Sequence, residues 1–317
     1  MSNNIKVLLV GAGFMGKAYS KVLKAQNIDF TVFTRSQKTA EAFKAETGTV
    51  AEFGNIADVL KNKSFTHAIN AVNVEHLVDV TKTLINNGIK KILVEKPLGM
   101  TAESVEELNN LAKKESASVY VAYNRRYFTS TTKALEIIEA DGGLRNIQFE
   151  FTEWKTRIDF SKYSEIAHKK WLHANSSQVI DLAFFFAGAP KNYAFYSGRR
   201  DNGDKDIFVG SGITTKNIFF SYAANWDAPG RWGVELMTDM HRLYLRPMEK
   251  LAIQELNSVA VNEVSIDDKI DIDYKPGVYL ETKEFLSDKP SAKLKTIAEQ
   301  VDSIKIYDEI LNGTTKN

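Results

Sequence analysis

A glycine-rich turn near the N-terminus constrains the fold more than any other feature of the sequence. The apolar run at 5–10 leads directly into Gly11-Ala12-Gly13-Phe14-Met15-Gly16, and apolar residues then recur at helical spacing up to Gln26. In such a GxGxxG turn the first glycine permits the tight bend. The second lets the backbone approach a pyrophosphate, and the third allows close packing of helix on strand. The pattern predicts a nucleotide-binding strand–turn–helix unit.

Strand-like and helix-like segments alternate through the first third of the chain. Apolar runs predict strands at 5–10, 30–33, 66–72, 89–94 and 118–122, and helical spacing predicts helices at 14–26, 39–46, 74–87 and 102–115. Strands that alternate with helices form a parallel sheet with helices on both faces. We therefore expect an α/β protein in which residues 1–122 form a doubly wound Rossmann domain.

The pattern of the sequence changes after residue 122. Strand-like runs, several of them aromatic, follow one another without intervening helices at 146–155, 191–196, 207–212, 217–226, 232–238 and 241–245. Helices are predicted at 176–187, 278–286 and 294–311, an exposed loop at 198–205, and a connection or edge strand at 266–274. Residues 123–317 are thus expected to form an α+β domain with a large, open, mostly antiparallel sheet.

The charge balance and the lack of cysteine exclude several classes of site and partner. The 41 Lys and Arg residues and 40 Asp and Glu residues give a net charge of +1. The chain therefore has no excess of positive charge that would indicate binding to nucleic acid or to an anionic membrane. Without cysteine there are no disulfides, thiolate metal sites or cysteine nucleophiles. No apolar segment approaches the ~18 residues of a membrane span. We expect a cytoplasmic protein that binds a small molecule.

The end of the second predicted strand distinguishes between the two nicotinamide cofactors. An NAD site usually has Asp or Glu there to bind the ribose 2′-hydroxyl. Here the position is Thr34, followed by Arg35, Ser36 and then Lys38, so that a 2′-phosphate meets cations and a hydroxyl. NADP is favoured, with NAD as the alternative. The competing interpretation makes Arg35 and Lys38 solvated residues at the start of a helix.

A second motif, Glu95-Lys96-Pro97, directly follows the predicted strand at 89–94. Together with the glycine turn it resembles the Gfo/Idh/MocA (glucose–fructose oxidoreductase / inositol dehydrogenase) family of NAD(P)-dependent oxidoreductases. Further segments similar to that family are 73–76, 86–89, 121–127, 179–182 followed by Gly188, and 243–247. The resemblance covers nearly the whole chain and is strongest over the first 127 residues.

The resemblance implies hydride transfer between NAD(P) and a sugar-like hydroxyl carbon, with Lys96 binding the hydroxyl or moving its proton. A lysine beside a nicotinamide has a lowered pKa, which suits this role; the alternative is an exposed lysine after a strand. The residues expected to bind the cofactor are Gly11, Gly13, Phe14, Met15, Gly16, Thr34, Arg35, Ser36, Lys38, Val72, Asn73, His76, Glu95, Lys96, Pro97 and Asn124.

The sequence departs from the family at the start of the central helix, where D-x-x-x-H-x-x-D is common and the His is the acid/base. Aligned on Asp181, this chain has Ala174 and Gln178 instead, and glutamine cannot transfer a proton near neutral pH. Three interpretations follow. Lys96 carries the proton alone while Gln178 orients the substrate, or His173 replaces the missing His, or the protein binds NADP and ligand as a sensor without turnover. The first is favoured, because reducing a carbonyl needs one proton carrier.

Two further interpretations of these residues stay open. His173 is equally well explained as a helix-start side chain near solvent. Reduction of an imine or a double bond, known among relatives, would not need the missing His either.

Substrate contacts are expected from Lys96, Arg126, Trp154, Asn175 and Gln178. Arg126 follows a strand and would bind an anionic substrate group or pair with a carboxylate. Trp154, on a predicted strand with Lys155 and Arg157, suits a sugar ring and a phosphate, hence a nucleotide sugar, or a dimer interface. No metal site is predicted, since His168 and His173 would not share a helix face.

The strand-like run at 217–223 has aromatic residues on both of its faces. An open sheet that exposes large apolar residues on one face usually marks an interface. We therefore expect a homo-oligomer, most simply a dimer, that is built sheet face to sheet face.

Overall fold

A computed structural model describes residues 5–199 and 203–316. Its strands are β1 (Lys6–Val10), β2 (Asp29–Thr34), β3 (Ala51–Phe53), β4 (His67–Asn70), β5 (Lys91–Glu95), β6 (Ser118–Ala122), β7 (Asn146–Glu150), β8 (Pro190–Gly198), β9 (Ile207–Thr214), β10 (Phe219–Asn225), β11 (Gly233–Met237), β12 (His241–Leu245), β13 (Ala252–Glu255), β14 (Asn262–Glu263), β15 (Lys295–Thr296) and β16 (Thr315–Lys316). Its α-helices are α1 (Phe14–Ala25), α2 (Gln37–Thr47), α3 (Ile56–Asn62), α4 (Leu77–Asn86), α5 (Ala102–Lys114), α6 (Thr129–Ala140), α7 (Glu165–Lys169), α8 (Ser177–Ala187), α9 (Lys269–Asp273), α10 (Val278–Leu286) and α11 (Ile297–Asn312).

The chain divides into two compact units, one of residues 1–124 and 272–302, the other of 125–271 and 303–317. The sequence had assigned 272–302 to the second domain. This segment belongs to the first unit because β15 pairs antiparallel with β6 and because α10 packs against α1. Neither contact leaves a local signal in the sequence.

The sheet of the first unit has the order β15-β6-β5-β4-β1-β2-β3. Apart from the β15–β6 pair, all its neighbours are parallel, as predicted. The central strand β1 is a continuous apolar run whose residues from Val7 to Val10 are buried, which a strand covered on both faces requires. The carboxyl ends of these parallel strands share one edge, where ligands of such sheets bind.

The sheet of the second unit has the order β14-β13-β12-β11-β7-β10-β9-β8-β16. Only the β7–β10 pair is parallel, so the prediction of a mostly antiparallel sheet is confirmed. One face of this sheet is an aromatic core, in which Phe149 and Phe220 pack edge-on against Phe184 of α8 at centroid distances of 5.5 and 5.2 Å. This contact places the second half of α8 beside the middle of the sheet.

Several elements differ from those predicted. The predicted strand at 146–155 ends at Glu150, and Lys155–Arg157 is a 3₁₀ turn. Residues 269–273 form the short helix α9 where a connection or edge strand was expected. The helix α6 and the β3–α3 pair were not predicted. The loop prediction at 198–205 falls partly on residues 200–202, which lie outside the described residues. Within the described ranges, no helix is long and apolar enough to cross a membrane.

Candidate active site

A cavity of about 670 Å³ lies at the carboxyl edge of the first sheet. Its lining comes from the turns that follow β1, β2, β3 and β4: Val10, Gly11, Ala12, Gly13, Phe33, Thr34, Arg35, Ser36, Thr39, Gly54, Asn55, Ile56, Ala71, Val72, Asn73, His76, Asp79 and Val80. Eight of the predicted cofactor residues are thus brought together here: Gly11, Gly13, Thr34, Arg35, Ser36, Val72, Asn73 and His76. Thr39 of α2 was missed, and so were Gly54 and Asn55, which lie in the unpredicted turn after β3.

The glycine turn is packed so tightly that side chains are excluded at two of its positions. A Cβ on Gly11, which has φ +111°, would lie 2.4 Å from the carbonyl oxygen of Ala71, and a Cβ on Gly16 would lie 2.0 Å from that of Gly11. Gly13 faces open space, and no side chain caps the N-terminus of α1 there. The backbone N–H groups at this helix start therefore fit a pyrophosphate, whose charge the helix dipole favours.

At the end of β2 the side chains match the adenosine end of a dinucleotide. Thr34 is buried, whereas Arg35 and Ser36 are exposed at the cavity. The Ser36 hydroxyl also caps α2 by accepting a hydrogen bond from the Thr39 N–H at 3.2 Å. Lys38 is exposed on α2 and outside the lining. The one carboxylate in the lining, Asp79, lies on α4, which follows β4 on the other side of β1 from β2.

The loop after β4 is held in place by a buried amide that the sequence analysis did not single out. Asn70, at the carboxyl end of β4, donates from Nδ2 to the Leu77 carbonyl at 3.0 Å and to the Thr81 hydroxyl at 2.9 Å. These bonds tie the strand end to the first turns of α4. Val72 and His76 therefore face the cavity from a fixed loop.

The Glu95-Lys96-Pro97 segment stands at the carboxyl end of β5. Tyr19 of α1 donates a hydrogen bond to Glu95 Oε1 at 2.9 Å. Burial raises the pKa of the Glu95 carboxyl, and the nearby Lys96 is the largest of the influences that lower it. The Pro97 carbonyl accepts a 2.8 Å hydrogen bond from Gln300 of α11. Neither Tyr19 nor Gln300 was predicted, since both come from elements distant in sequence.

Asn124, expected to bind the cofactor, uses its amide inside the first unit. Its Nδ2 donates to the carbonyl of Pro276 at 2.8 Å, which connects the end of β6 to the segment that returns from the second half of the chain. Phe14 and Met15 open α1, and Phe14 is 74% exposed.

In the second unit, Arg126 is committed to an ion pair. Its Nε and Nη2 donate to the two carboxylate oxygens of Asp181 on α8, both at 2.8 Å, and both side chains are buried. Of the two interpretations of Arg126 from the sequence, pairing with a carboxylate is the one observed. The prediction that Arg126 contacts the substrate is wrong for the observed ion pair. The two N–H groups that would bind an anionic substrate group are already bonded to Asp181.

A buried carboxylate organises the start of α8. Glu153 accepts hydrogen bonds from Asn175 Nδ2 at 3.0 Å and from the Ser176 hydroxyl at 2.7 Å, and Arg231 lies 3.3 Å from its other oxygen. Burial raises the pKa of Glu153, and these bonds oppose the rise, with that from Ser176 the strongest. Trp154 follows directly and is 39% exposed, with the guanidinium of Arg231 5.1 Å from its ring centroid. Glu153 and Arg231 were both missed.

His173 and Gln178 occupy different environments. Gln178 is half-buried in the first turn of α8. His173 is fully buried in a π-helical turn, 3.0 Å from Asp308 and edge-on to Tyr307 of α11. The expectation of a histidine near solvent is wrong, because α11 covers it. Burial lowers the pKa of His173 although Asp308 opposes this. In the described ranges, no three Asp, Glu or His side chains gather as a metal site.

The first unit matches a known family. Residues 5–123 match the model of the Gfo/Idh/MocA oxidoreductase family, described as an NAD-binding Rossmann fold. The resemblance to this family that the glycine turn and the Glu95-Lys96-Pro97 motif predict is thereby confirmed over residues 5–123. This part of the chain is an NAD-binding Rossmann domain of the kind found in that oxidoreductase family.

Solved structures of the same fold cover almost the whole chain. An oxidoreductase from Agrobacterium radiobacter, in complex with NAD⁺, L-tartaric acid and magnesium, is 12% identical with a TM-score of 0.77, over 98% of this chain and 96% of that chain. UDP-N-acetylglucosamine 3-dehydrogenase from Acidithiobacillus ferrooxidans is 14% identical with a TM-score of 0.75, over 97% of each chain. Levoglucosan dehydrogenase, in complex with NADH and levoglucosan, is 15% identical with a TM-score of 0.76, over 97% of this chain and 96% of that chain.

These identities are low enough that the likeness shows the fold alone. No curated protein matches the sequence. Which cofactor and which substrate this protein takes must therefore be argued from the side chains of its own site.

Proposed function

We propose that the protein is an NADP-preferring oxidoreductase that transfers a hydride between the nicotinamide and a hydroxyl-bearing carbon of a sugar-like substrate. The observation that carries the cofactor choice is the end of β2, where Arg35 and Ser36 face the cavity and no carboxylate follows the strand. A 2′-phosphate there gains a guanidinium that can bind it through two hydrogen bonds. The carboxylate that usually binds the 2′-hydroxyl of NAD is missing.

We assign to Lys96 the transfer of the proton of the substrate hydroxyl. When bound, the dinucleotide supplies or accepts the hydride, and the hydroxyl proton must move to or from a separate group. Lys96 directly follows β5 at the carboxyl edge of the sheet and is half-buried, which suits an amine that binds the substrate oxygen and exchanges a proton with it. Gln178 then orients the substrate without taking a proton.

A sugar-like substrate is supported by the second unit and by relatives of the same fold. Trp154 offers a partly exposed aromatic face beside Arg231, and Asn175 is oriented by Glu153. Aromatic faces of this kind suit sugar rings, and the guanidinium suits a phosphate of a nucleotide sugar. Two proteins of similar structure are named as dehydrogenases of levoglucosan and of UDP-N-acetylglucosamine.

The cofactor choice is tested by titrating the purified protein with NADPH and with NADH and following nucleotide fluorescence. We expect tighter binding of NADPH. Arg35→Asp should weaken NADPH by at least ~10-fold, because a carboxylate then opposes the 2′-phosphate, and should leave NADH within about twofold. Lys38→Asp, outside the cavity lining, is the matched control. Equal wild-type affinities for the two nucleotides would contradict the NADP assignment.

A second candidate is a sensor that binds NADP and a ligand without turnover. It is favoured by Ala174 and Gln178, which replace the residues that relatives use for proton transfer. Reduction of an imine or a double bond would tolerate the same replacements. A screen for NADPH oxidation that finds no substrate would favour the sensor.

A further inference from the structure

The segment at 273–276 belongs to the first unit and is held there from two sides. Lys21 of α1 donates to the Asp273 carbonyl, and Asn124 after β6 donates to the Pro276 carbonyl at 2.8 Å. The backbone that carries Lys275 is therefore fixed by one bond to α1 and one to the residue that follows β6.

The ammonium group of Lys275 lies near both motifs that define the cofactor site. It is 4.9 Å from the ring centroid of Phe14, the first residue of α1 and part of the glycine turn. It also acts on Glu95, whose raised pKa it helps to lower. Lys275 thus places a positive charge between the start of α1 and the Glu95-Lys96-Pro97 segment, although it is about 260 residues away in sequence from the turn.

We propose that Lys275 binds the pyrophosphate of the dinucleotide from the side opposite the glycine turn. The turn offers backbone N–H groups and the positive end of a helix dipole, but its sequence from Gly11 to Gly16 contains no cation. A pyrophosphate carries two negative charges, and a charge-assisted hydrogen bond from an ammonium group is about twice as strong as a neutral one. The long, flexible side chain of Lys275 can move from the Phe14 ring to a phosphate oxygen without a change in its anchored backbone.

The proposal is tested by comparing three ligands on the full chain: NADH, ADP-ribose and adenosine. Lys275→Met should weaken NADH and ADP-ribose by about 10-fold each, the loss expected for one charge-assisted hydrogen bond. Adenosine, which has no phosphate, should bind within about twofold of the wild type. Lys275→Arg should keep most of the affinity for all three.

Lys24→Met is the matched control, since it removes an exposed lysine of α1 that bonds to the Thr47 carbonyl and does not anchor the 273–276 segment. It should leave all three affinities unchanged. An unchanged affinity of Lys275→Met for NADH would overturn the proposal. So would an equal loss for adenosine, which would mean a general disturbance of the site, or a loss for NADH without one for ADP-ribose, which would place Lys275 at the nicotinamide. A wild-type protein that binds neither NADH nor NADPH would instead contradict the proposed function.

Discussion

At the residue scale, the ion pair of Arg126 and Asp181 is the most consequential buried contact of the second unit. Both hydrogen bonds are 2.8 Å long, and the side chains are 8% and 1% exposed. Removing one partner leaves a charge in the protein interior, which costs about 3–5 kcal/mol. Replacing both partners by apolar side chains of similar size is often close to neutral. If the pair is structural, the stability lost in each single variant should therefore be partly regained in the double variant, which is not expected of a substrate contact.

We predict that Arg126→Met and Asp181→Leu each lower the free energy of unfolding by about 3 kcal/mol or more, because each leaves the opposite charge buried. The double variant should regain a large part of this loss. Urea unfolding of the two single variants and the double variant measures the coupling. Single variants with wild-type stability and a weakened substrate affinity would show that Arg126 serves the substrate instead.

The role of a residue could be predicted from the sequence where its neighbours in the chain determine that role. The prediction failed where the role depends on contact with an element distant in sequence. Gly11 and Arg35 follow strands that are visible in the sequence, so their place at the cavity could be predicted. Arg126 was left open between two roles because its partner is 55 residues away. His173 was expected near solvent because nothing near it indicates that α11 covers it. Glu153 was missed because a Glu in a run of alternating polar and aromatic residues carries no signal of its hydrogen bonds.

At the element scale, the segment from α10 to the start of α11 completes the first unit. Gln300 of α11 is fully buried and donates to the Pro97 carbonyl at 2.8 Å and to the Tyr123 hydroxyl at 3.2 Å. The first of these bonds holds the backbone directly after Lys96. A buried carbonyl that loses its donor costs about 1–3 kcal/mol.

We predict that Gln300→Met lowers the free energy of unfolding by about 1–3 kcal/mol, because the Pro97 carbonyl then has one donor fewer in a buried place. Tyr123→Phe is the control, since it removes only the longer bond of Gln300, and it should cost less. Chemical denaturation of both variants gives the comparison. An equal cost for the two would show that the bond to Pro97 is not the important one.

The secondary-structure elements that were not predicted from the sequence are those whose pattern of apolar residues is too short or is mixed. β3 has three residues and α3 has seven, too few for a periodic pattern. α6 begins with four Ser and Thr residues, which have low helix propensity. α9 reads Lys-Ile-Asp-Ile-Asp, an alternation typical of a strand. The long elements, such as α1 and the aromatic strands β8 to β10, were predicted because their apolar positions repeat over several turns or pleats.

At the scale of the whole molecule, one face of the second sheet exposes apolar side chains. Tyr196 of β8 lies directly opposite Val209 of β9, and Phe219 of β10 lies opposite Ile213. Tyr196, Val209 and Phe219 are 62%, 42% and 63% exposed. Residues two apart on a strand share a face, and by the register these side chains lie on the face opposite the aromatic core.

We predict a homodimer formed through this face, because large exposed apolar side chains on a sheet usually mark an interface. Gel filtration with light scattering at micromolar concentration measures the mass in solution. Val209→Glu should shift the protein towards the monomer by burying a charge in the interface, whereas Lys44→Glu on the first unit should not. A monomeric wild type would contradict the prediction.

In the proposed reaction, the protein reduces a sugar-like carbonyl with NADPH, or oxidises the corresponding hydroxyl with NADP⁺, and Lys96 moves the proton. This reaction is tested by measuring the rate of NADPH oxidation with a panel of ketosugars and keto nucleotide sugars. The proteins compared are the wild type, Lys96→Met and the control Lys90→Met, whose residue directly precedes β5. We expect turnover by the wild type and by Lys90→Met, a loss of about 10²–10⁴-fold for Lys96→Met, and NADPH affinity within about twofold for all three proteins. Full turnover by Lys96→Met would contradict the assignment of the proton, and no NADPH oxidation by the wild type with any member of the panel would contradict the proposed activity.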